Sequence, residues 1–423
     1  MSKLLTPVDA YEFANAWQEQ AIGKKATIQA TDATSLMSVG EAIFQSGMEN
    51  TINSLYILMG KLWVTSKKYA GKGSIIQAKD TGVYTHRFAK VRAYSKKQAI
   101  ASGYWNTNVK TNFAPGYDNT ANGGASTKSM WEQNPAVTVT FTFGGSNVLD
   151  FPAPTMYLDK LEMAFRNESE FRSVINEIMI TFENDMAQYR ENFNRQQLAA
   201  GMAQTILMEQ YRPESVIHAV TEFNADNGGT SYTKTELKTL YAREFYTWLA
   251  SKLDITLARM QERSILFHAS FPKTVNGEEY ELLDFNKLDD LKIAAFAPDF
   301  IKMEKIVLPE TFQLAKLEIN KEKFEKFTYW QNINEPGKIS IKPAIVDADP
   351  TSENYMKQID GTNVTAEPLL YIFSKDRLLT DMQFKRALSS PVEARKGYYN
   401  VFHHWAFNFI SSPDESDCLV LWD

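Results

Sequence analysis

The sequence predicts an α+β protein of elongated build, and three observations carry that expectation. Val137-Thr138-Val139-Thr140-Phe141-Thr142-Phe143 alternates apolar and hydroxyl residues, the period of a half-buried strand. No proline occurs between Pro154 and Pro213, and Phe171, Ile175, Ile178, Phe182, Met186, Tyr189 and Phe193 recur there at helical spacing. Charge is segregated: from Lys61 to Trp131 twelve Lys/Arg face only Asp80 and Asp118, a net +10. The remaining 33 Lys/Arg and 49 Asp/Glu make −16.

Each element follows from local chemistry. Thr6-Pro7 with Asp9 reads as a helix start, a hydroxyl cap ahead of proline at the first helical position. Val8, Tyr11, Ala14, Trp17 and Ala21 continue it. A second helical stretch is expected from about Thr34 to Gly60, weakened by Gly40 and Gly47. Val83 to Tyr94 reads as strand, residues 115 to 129 as Gly/Asn/Ser-rich loop, and Val137 to Phe143 as the return strand before Gly144-Gly145. Together these describe a long extended hairpin. A helix from about Glu168 to Met208 would extend about 60 Å at 1.5 Å per residue, far beyond the average of about 11 to 12 residues.

After a turn at Asn227-Gly228-Gly229, one helix is expected from Thr233 to Phe267. Strand 290 to 297, a helix opening at Pro298-Asp299 and strand 338 to 346 follow. The chain closes with strand Leu369 to Phe373, a short helix opening at Ser374-Lys375-Asp376, strand Tyr398 to Ile410 and strand Cys418 to Trp422. There is no internal repeat.

The residues carry little that resembles a catalytic constellation. Five histidines are scattered, and no His-Glu-x-x-His, nucleophile elbow or dinucleotide fingerprint occurs. Gly71-Lys72-Gly73-Ser74 lacks the upstream glycine of a phosphate loop. Asp347-x-Asp349 and Asp414-x-x-Asp417 read as solvated turns without calcium-loop spacing. The single Cys418, in an apolar run, excludes a disulfide framework and reads as a small buried hydrophobe. No catalytic, cofactor or metal site is expected. The N-terminus has no basic region followed by an apolar core, and no window reaches a membrane span, so a reducing cytoplasm is the expected place of synthesis.

The basic window, with Tyr84, Phe88, Tyr94, Tyr104 and Trp105 interleaved, admits three readings: docking on the acidic surface of another copy, a solvated loop, or single-stranded nucleic-acid binding. On the first, Lys67, Lys68, Lys72, Arg87, Lys90, Arg92, Lys96, Lys97 and Trp105 are the candidate inter-subunit contacts. The face of Val137 to Phe143 would be an aggregation hazard on a monomer and is expected to be covered by a lattice.

The end of the chain carries a resemblance. Leu370-Tyr371-Ile372-Phe373-Ser374-Lys375-Asp376 followed by Ala394-Arg395-Lys396-Gly397-Tyr398-Tyr399-Asn400-Val401-Phe402-His403-His404-Trp405 resembles the closing segment of tailed-bacteriophage major capsid proteins. The likeness is to small short-tailed phages of the Bacillus podovirus type and covers about 55 residues. Elsewhere the order of elements agrees, without residue-by-residue matches. The resemblance implies the coat fold shared with encapsulins and herpesvirus shell floors. It also implies an N-terminal helical arm (1–61), an extended basic hairpin loop (62–155) and a peripheral domain with a spine helix and β-sheet (156–225). An axial α/β domain (226–397) and closing strands (398–423) complete it.

A coat subunit implies pentamers and hexamers of an icosahedral or prolate head around double-stranded DNA, assembled in the bacterial host cytoplasm. Scaffolding, portal and head-fibre or decoration proteins are the implied partners, with no membrane and no enzymatic activity. No C-terminal immunoglobulin-like decoration is expected after Asp423. Two other readings stand beside it: an encapsulin-type compartment shell, and a cytoplasmic nucleic-acid-binding protein using residues 61–131.

Overall fold

The computed structural model describes residues 7–22, 29–45, 71–80, 87–96, 136–144, 147–152, 155–157, 168–212, 214–275, 278–307, 324–391, 393 and 395–423. In chain order these form α1 (Pro7–Ile22), α2 (Ala33–Gln45), β1 (Gln77–Asp80), β2 (Arg87–Ala93), β3 (Ser95–Lys96), β4 (Thr138–Gly144), β5 (Asn147–Pro152) and β6 (Met156–Tyr157). Next come α3 (Glu168–Leu207), β7 (Val216–His218), α4 (Ala219–Asp226), α5 (Lys234–Thr239), α6 (Ala242–Gln261), β8 (Lys273–Val275) and β9 (Glu278–Glu281). The remainder is β10 (Leu291–Phe296), α7 (Ala297–Val307), β11 (Phe324–Phe327), β12 (Ile339–Ile341), β13 (Ala344–Val346), β14 (Gln358–Asp360), β15 (Val364–Ser374), β16 (Leu378–Ser389), β17 (Tyr398–Tyr399), β18 (Val401–Ser411) and β19 (Asp417–Trp422).

The chain divides into two compact units. The first is Met1–Arg87, Gly144–Leu198 and Leu378–Ile410; the second is Phe88–Phe143, Ala199–Arg377 and Ser411–Asp423. Helix α3, 40 residues long, supplies residues to both.

In the first unit α1 and α2 pack together through Ala14 and Trp17 and through Leu36, Val39 and Ile43, all fully buried. The Asp32 carboxylate accepts the Ser35 amide at 2.7 Å and caps α2. A four-stranded sheet runs β1-β16-β18-β5. β1 joins parallel, with Gln77 opposite Leu379, and β5 antiparallel to β18, with Leu149 opposite Trp405. Gln197 of α3 ties that sheet to the helix. Its amide donates to the carbonyls of Leu379 (2.8 Å) and Ile410 (3.4 Å), and its oxygen accepts the Thr380 hydroxyl at 2.9 Å.

The second unit is built on a sheet ordered β11-β10-β15-β19-β7, with β12 also on β15. All six residues of β19 and the last seven of β15 are buried, the apolar run of strands covered on both faces. On one face lies α6, whose Phe245, Leu249, Leu253 and Leu257 recur every four residues. They meet Ile293, Ile372, Val420 and Trp422, and Phe245 stacks on Trp422 at 5.0 Å between ring centroids. Thr233 and Glu236 close a capping box at the start of α5. Gly228 and Gly229 carry φ of +79° and +80° in the expected turn. Strands β2 and β4 pair with each other in a two-stranded ribbon.

Several expectations change. The single helix from 233 to 267 is two, α5 and α6, with Leu240 left 76% exposed between them. The strand at 338–346 is β12 and β13, interrupted at Pro343, which has no N–H for the ladder. Ser374-Lys375-Asp376 opens no helix: the Arg377 amide donates to the Ser374 carbonyl at 2.9 Å, and the tight turn leads straight into β16. Tyr189 is 47% exposed rather than part of the buried stripe of α3, where Met186 is buried. The Val137 to Phe143 face needs no lattice to cover it, because Val137 and Phe141 are buried within the chain and Phe141 packs on Phe271. The stretch expected to extend α2 to Gly60, residues 83–86 of the first hairpin strand, and the loop at 115–129 lie outside the described residues.

Candidate assembly site at the root of the basic segment

The structure sorts the predicted basic residues into three groups. Lys67, Lys68, Lys97 and Trp105 lie outside the described residues. Arg87 lies on β2 and Lys96 on β3, where Lys96 pairs with Tyr280 of β9. Lys72, Lys90 and Arg92 have defined surroundings.

Lys72 is exposed, and its backbone is held in the first unit. Its amide donates to Glu191 Oε2 at 3.1 Å, and the Asn194 side-chain amide donates to the carbonyls of Lys72 (3.3 Å) and Gly73 (3.2 Å). Glu191 also receives Arg195 Nε at 2.9 Å. Gly73 has φ +96°, and a Cβ there would lie 2.3 Å from Asn194 Cβ. The glycines of Gly71-Lys72-Gly73 therefore serve close approach to α3.

Lys90 and Arg92 sit in the second unit, on alternate positions of β2, and so project to the same face. Lys90 Nζ lies 2.7 Å from Asp414 Oδ2 and also contacts Glu415 Oε1. Arg92 Nη1 reaches Asp414 Oδ2 at 3.2 Å and Glu415 Oε1 at 3.1 Å; its Nη2 reaches Asp284 Oδ1 at 3.2 Å and the Leu283 carbonyl at 3.3 Å. Asp284 in turn accepts Ser416 Oγ at 2.6 Å, and Glu415 accepts Ser374 Oγ at 3.0 Å. Burial pushes the Glu415 carboxyl above its ordinary range despite Lys90.

The same turn carries a second constellation at Asp417. Arg212 Nη1 lies 2.6 Å from its Oδ1 and Arg377 Nε 2.6 Å from its Oδ2, and Tyr371 (2.9 Å) and Thr205 (2.8 Å) donate hydroxyls to Oδ2. Asp417, Arg212 and Arg377 are fully buried. Burial would raise the Asp417 carboxyl, but the two guanidiniums and the hydrogen bonds hold it below the usual range. Burial also pushes the neighbouring Cys418 thiol up, as expected of an inert core cysteine.

Sequence reasoning missed this turn. Asp414 and Asp417 were expected in solvent and are fully buried. Their partners lie far away in sequence: Arg212, Arg377, Lys90 and Arg92. Asp349 behaves as expected, accepting the Thr351 amide and hydroxyl of its own turn.

Chemically, these carboxylates are committed to cations and hydroxyls, apart from the buried Asp414 Oδ1, which has no hydrogen-bond partner. Among the described residues no group of three or more His, Cys, Asp or Glu could hold a metal ion, and no helix is long and apolar enough to cross a membrane. A groove of about 530 Å³ between α4 and α6 is lined by Trp248, Ile255, Glu222 and Lys252. Its charges pair internally, Glu222 with Lys252 at 2.7 Å.

No family model and no curated protein matches the chain. Solved structures similar to it include the capsid of Staphylococcus phage Andhra, 11% identical over 85% of this chain and 87% of that one, with a TM-score of 0.47. The structure of head fiber and inner core protein gp22 of native bacteriophage P68 is similar over 82% and 83%, at 11% identity and a TM-score of 0.45. The capsid of Myoviridae phage XM1 is similar over 85% and 94%, at 11% identity and a TM-score of 0.39.

Proposed function

We propose that the chain is the major capsid protein of a tailed bacteriophage, a coat subunit that self-assembles into the pentamers and hexamers of a head around double-stranded DNA. The observation that carries this reading is the closing segment. The residues that resemble a coat-protein ending form the end of β15 with its Lys375-Asp376 turn, then β17 and the first half of β18. The paired ribbon β2–β4, the 40-residue α3 and the α/β arrangement of the second unit support it, in that chain order. The five-part division into arm, hairpin loop, peripheral domain, axial domain and closing strands belongs to the same proposal. So does the finer likeness to short-tailed phages of the Bacillus podovirus type, which rests on the closing segment alone. Scaffolding, portal and head-fibre or decoration proteins are its proposed partners, with assembly in the host cytoplasm.

Electron microscopy of the expressed chain, alone and with scaffolding protein, is the test. Shell-sized particles are expected; a chain that stays a compact monomer in both conditions overturns the reading. Shells loaded with a protein cargo instead of DNA would point to an encapsulin-type compartment. Docking of the basic segment on a neighbour is part of the proposal, and Lys67, Lys68, Lys72 and Lys97 are the residues on which to test it by charge reversal. Lys90 and Arg92 already meet acids of their own chain, so reversing them perturbs the subunit itself.

A further inference from the structure

The ribbon β2–β4 is held on the second unit by two different kinds of contact, one from each strand. On β4, Phe141 is buried, and Val139 and Phe143, with Tyr94 just past the end of β2, are partly buried against Met208, Ala269, Phe271, Leu282 and Ala348. This cluster is separate from the main core of Phe245, Ile293, Ile372 and Val420. On β2 the arrangement is polar. Ala89, Val91 and Ala93 face outward, Val91 with 66% of its surface exposed. Lys90 and Arg92 face inward, into a socket of Asp284, Asp414 and Glu415. Among the described side chains of β2, none joins either apolar cluster.

The socket gathers like charge. Three carboxylates converge there, Asp284 and Asp414 each repelling the charge on Glu415. Two cations on alternate residues of one strand meet all three carboxylates in charge-assisted hydrogen bonds. Without them the closed arrangement keeps the repulsion, whereas an open one lets water solvate the acids. Lys90 and Arg92 keep 19% and 17% of their side-chain surface exposed, so water already reaches the edge of the site.

We infer that β2 is a strap fastened by charge: Lys90 and Arg92 in the Asp284–Asp414–Glu415 socket decide whether the ribbon lies closed, and it opens locally while the β10-β15-β19 sheet stays folded. The strap is a property of the second unit alone and holds whatever the outward face of the ribbon meets.

Hydrogen exchange read by mass spectrometry on the full chain tests this. The series is wild type, Lys90→Gln, Arg92→Gln, the double variant, and Val139→Ala as a trim of the apolar contact. Peptides over 87–96 should exchange faster in Arg92→Gln by on the order of tenfold to hundredfold. Lys90→Gln and Val139→Ala should each accelerate them less, and peptides from β10, β15 and β19 should keep wild-type protection. Unchanged ribbon protection in the double variant overturns the inference, because the apolar cluster then suffices. Equal acceleration of ribbon and sheet overturns it too, because the cluster then belongs to the global core. Should the double variant not fold, the same comparison in Lys90→Gln decides, since it leaves Arg92 in the socket.

Discussion

Two charge clusters meet in the turn 412–417, and they differ in what they hold. Asp417 is enclosed with Arg212 and Arg377, and its partners come from α3, β15 and the segments that end them. Asp414 and Glu415 point instead to cations on the ribbon, at a site that water borders. The first cluster has two cations for one carboxylate, the second two cations for three. The contrast teaches that burial and partner origin, rather than the number of ion pairs, decide whether a charge cluster is a core element or a fastening.

The largest expected effect comes from breaking the enclosed cluster. Asp417→Asn removes the carboxylate that Arg212 and Arg377 share and should cost about 3–5 kcal/mol. Urea unfolding followed by near-ultraviolet circular dichroism measures it. A loss no greater than that of Arg92→Gln would erase the distinction between the clusters.

A smaller effect is expected in the other unit, where Gly73 approaches α3. Gly73→Ala forces φ +96° on alanine and sets its Cβ against Asn194, and should cost about 1–3 kcal/mol in backbone strain alone. Proteolysis of the loop at 71–76 should speed up with no change in the ribbon. An equally fast ribbon would show that the two sites are not independent.

The smallest effect expected is one of pH, and it separates the clusters by sign. Asp417 is held below its unfolded value, about 3.9. Its stabilisation is therefore full above that value and lost as pH falls through the folded one. Glu415 is raised, so the folded state binds its proton more tightly. Its contribution is full below the unfolded value, about 4.3, and is lost as pH rises through the folded one. His268, buried beside Asp284 and Arg92 with its pKa lowered by burial, adds stability above about 6.5 that is lost as pH falls through its folded value. Stability measured in Glu415→Gln should lose the downward contribution above pH 4.3 that Glu415 makes and keep the acid limb that Asp417 sets. A wild-type profile in that variant would remove Glu415 from the fastening.

Much of the scaffold was legible from local pattern. Helix α3 appears within a residue of its expected ends because a long proline-free run with apolar residues at helical spacing favours a helix throughout. Strand β4 keeps its apolar face inward and its threonines out, as the two-residue period requires. Cys418 is buried, as its apolar neighbours suggested. The candidate site was only partly legible. Lys90 and Arg92 were visible as members of a basic run, but their partners were not, since Asp284 and Asp414 lie 192 and 322 residues from Arg92.

By itself the sequence determined the periodicities, the glycine and proline punctuation and the segregation of charge, because these depend on neighbours within a few residues. Only the tertiary structure decided the fate of Ser411-Ser412-Pro413-Asp414-Glu415-Ser416-Asp417. Its composition is that of a wet turn, yet residues 412–417 are buried. The reason is physical: an aspartate enters a protein interior only where cations and hydroxyls await it. Here they are brought by a long helix, a ribbon and two strands that converge on the turn only in the folded chain.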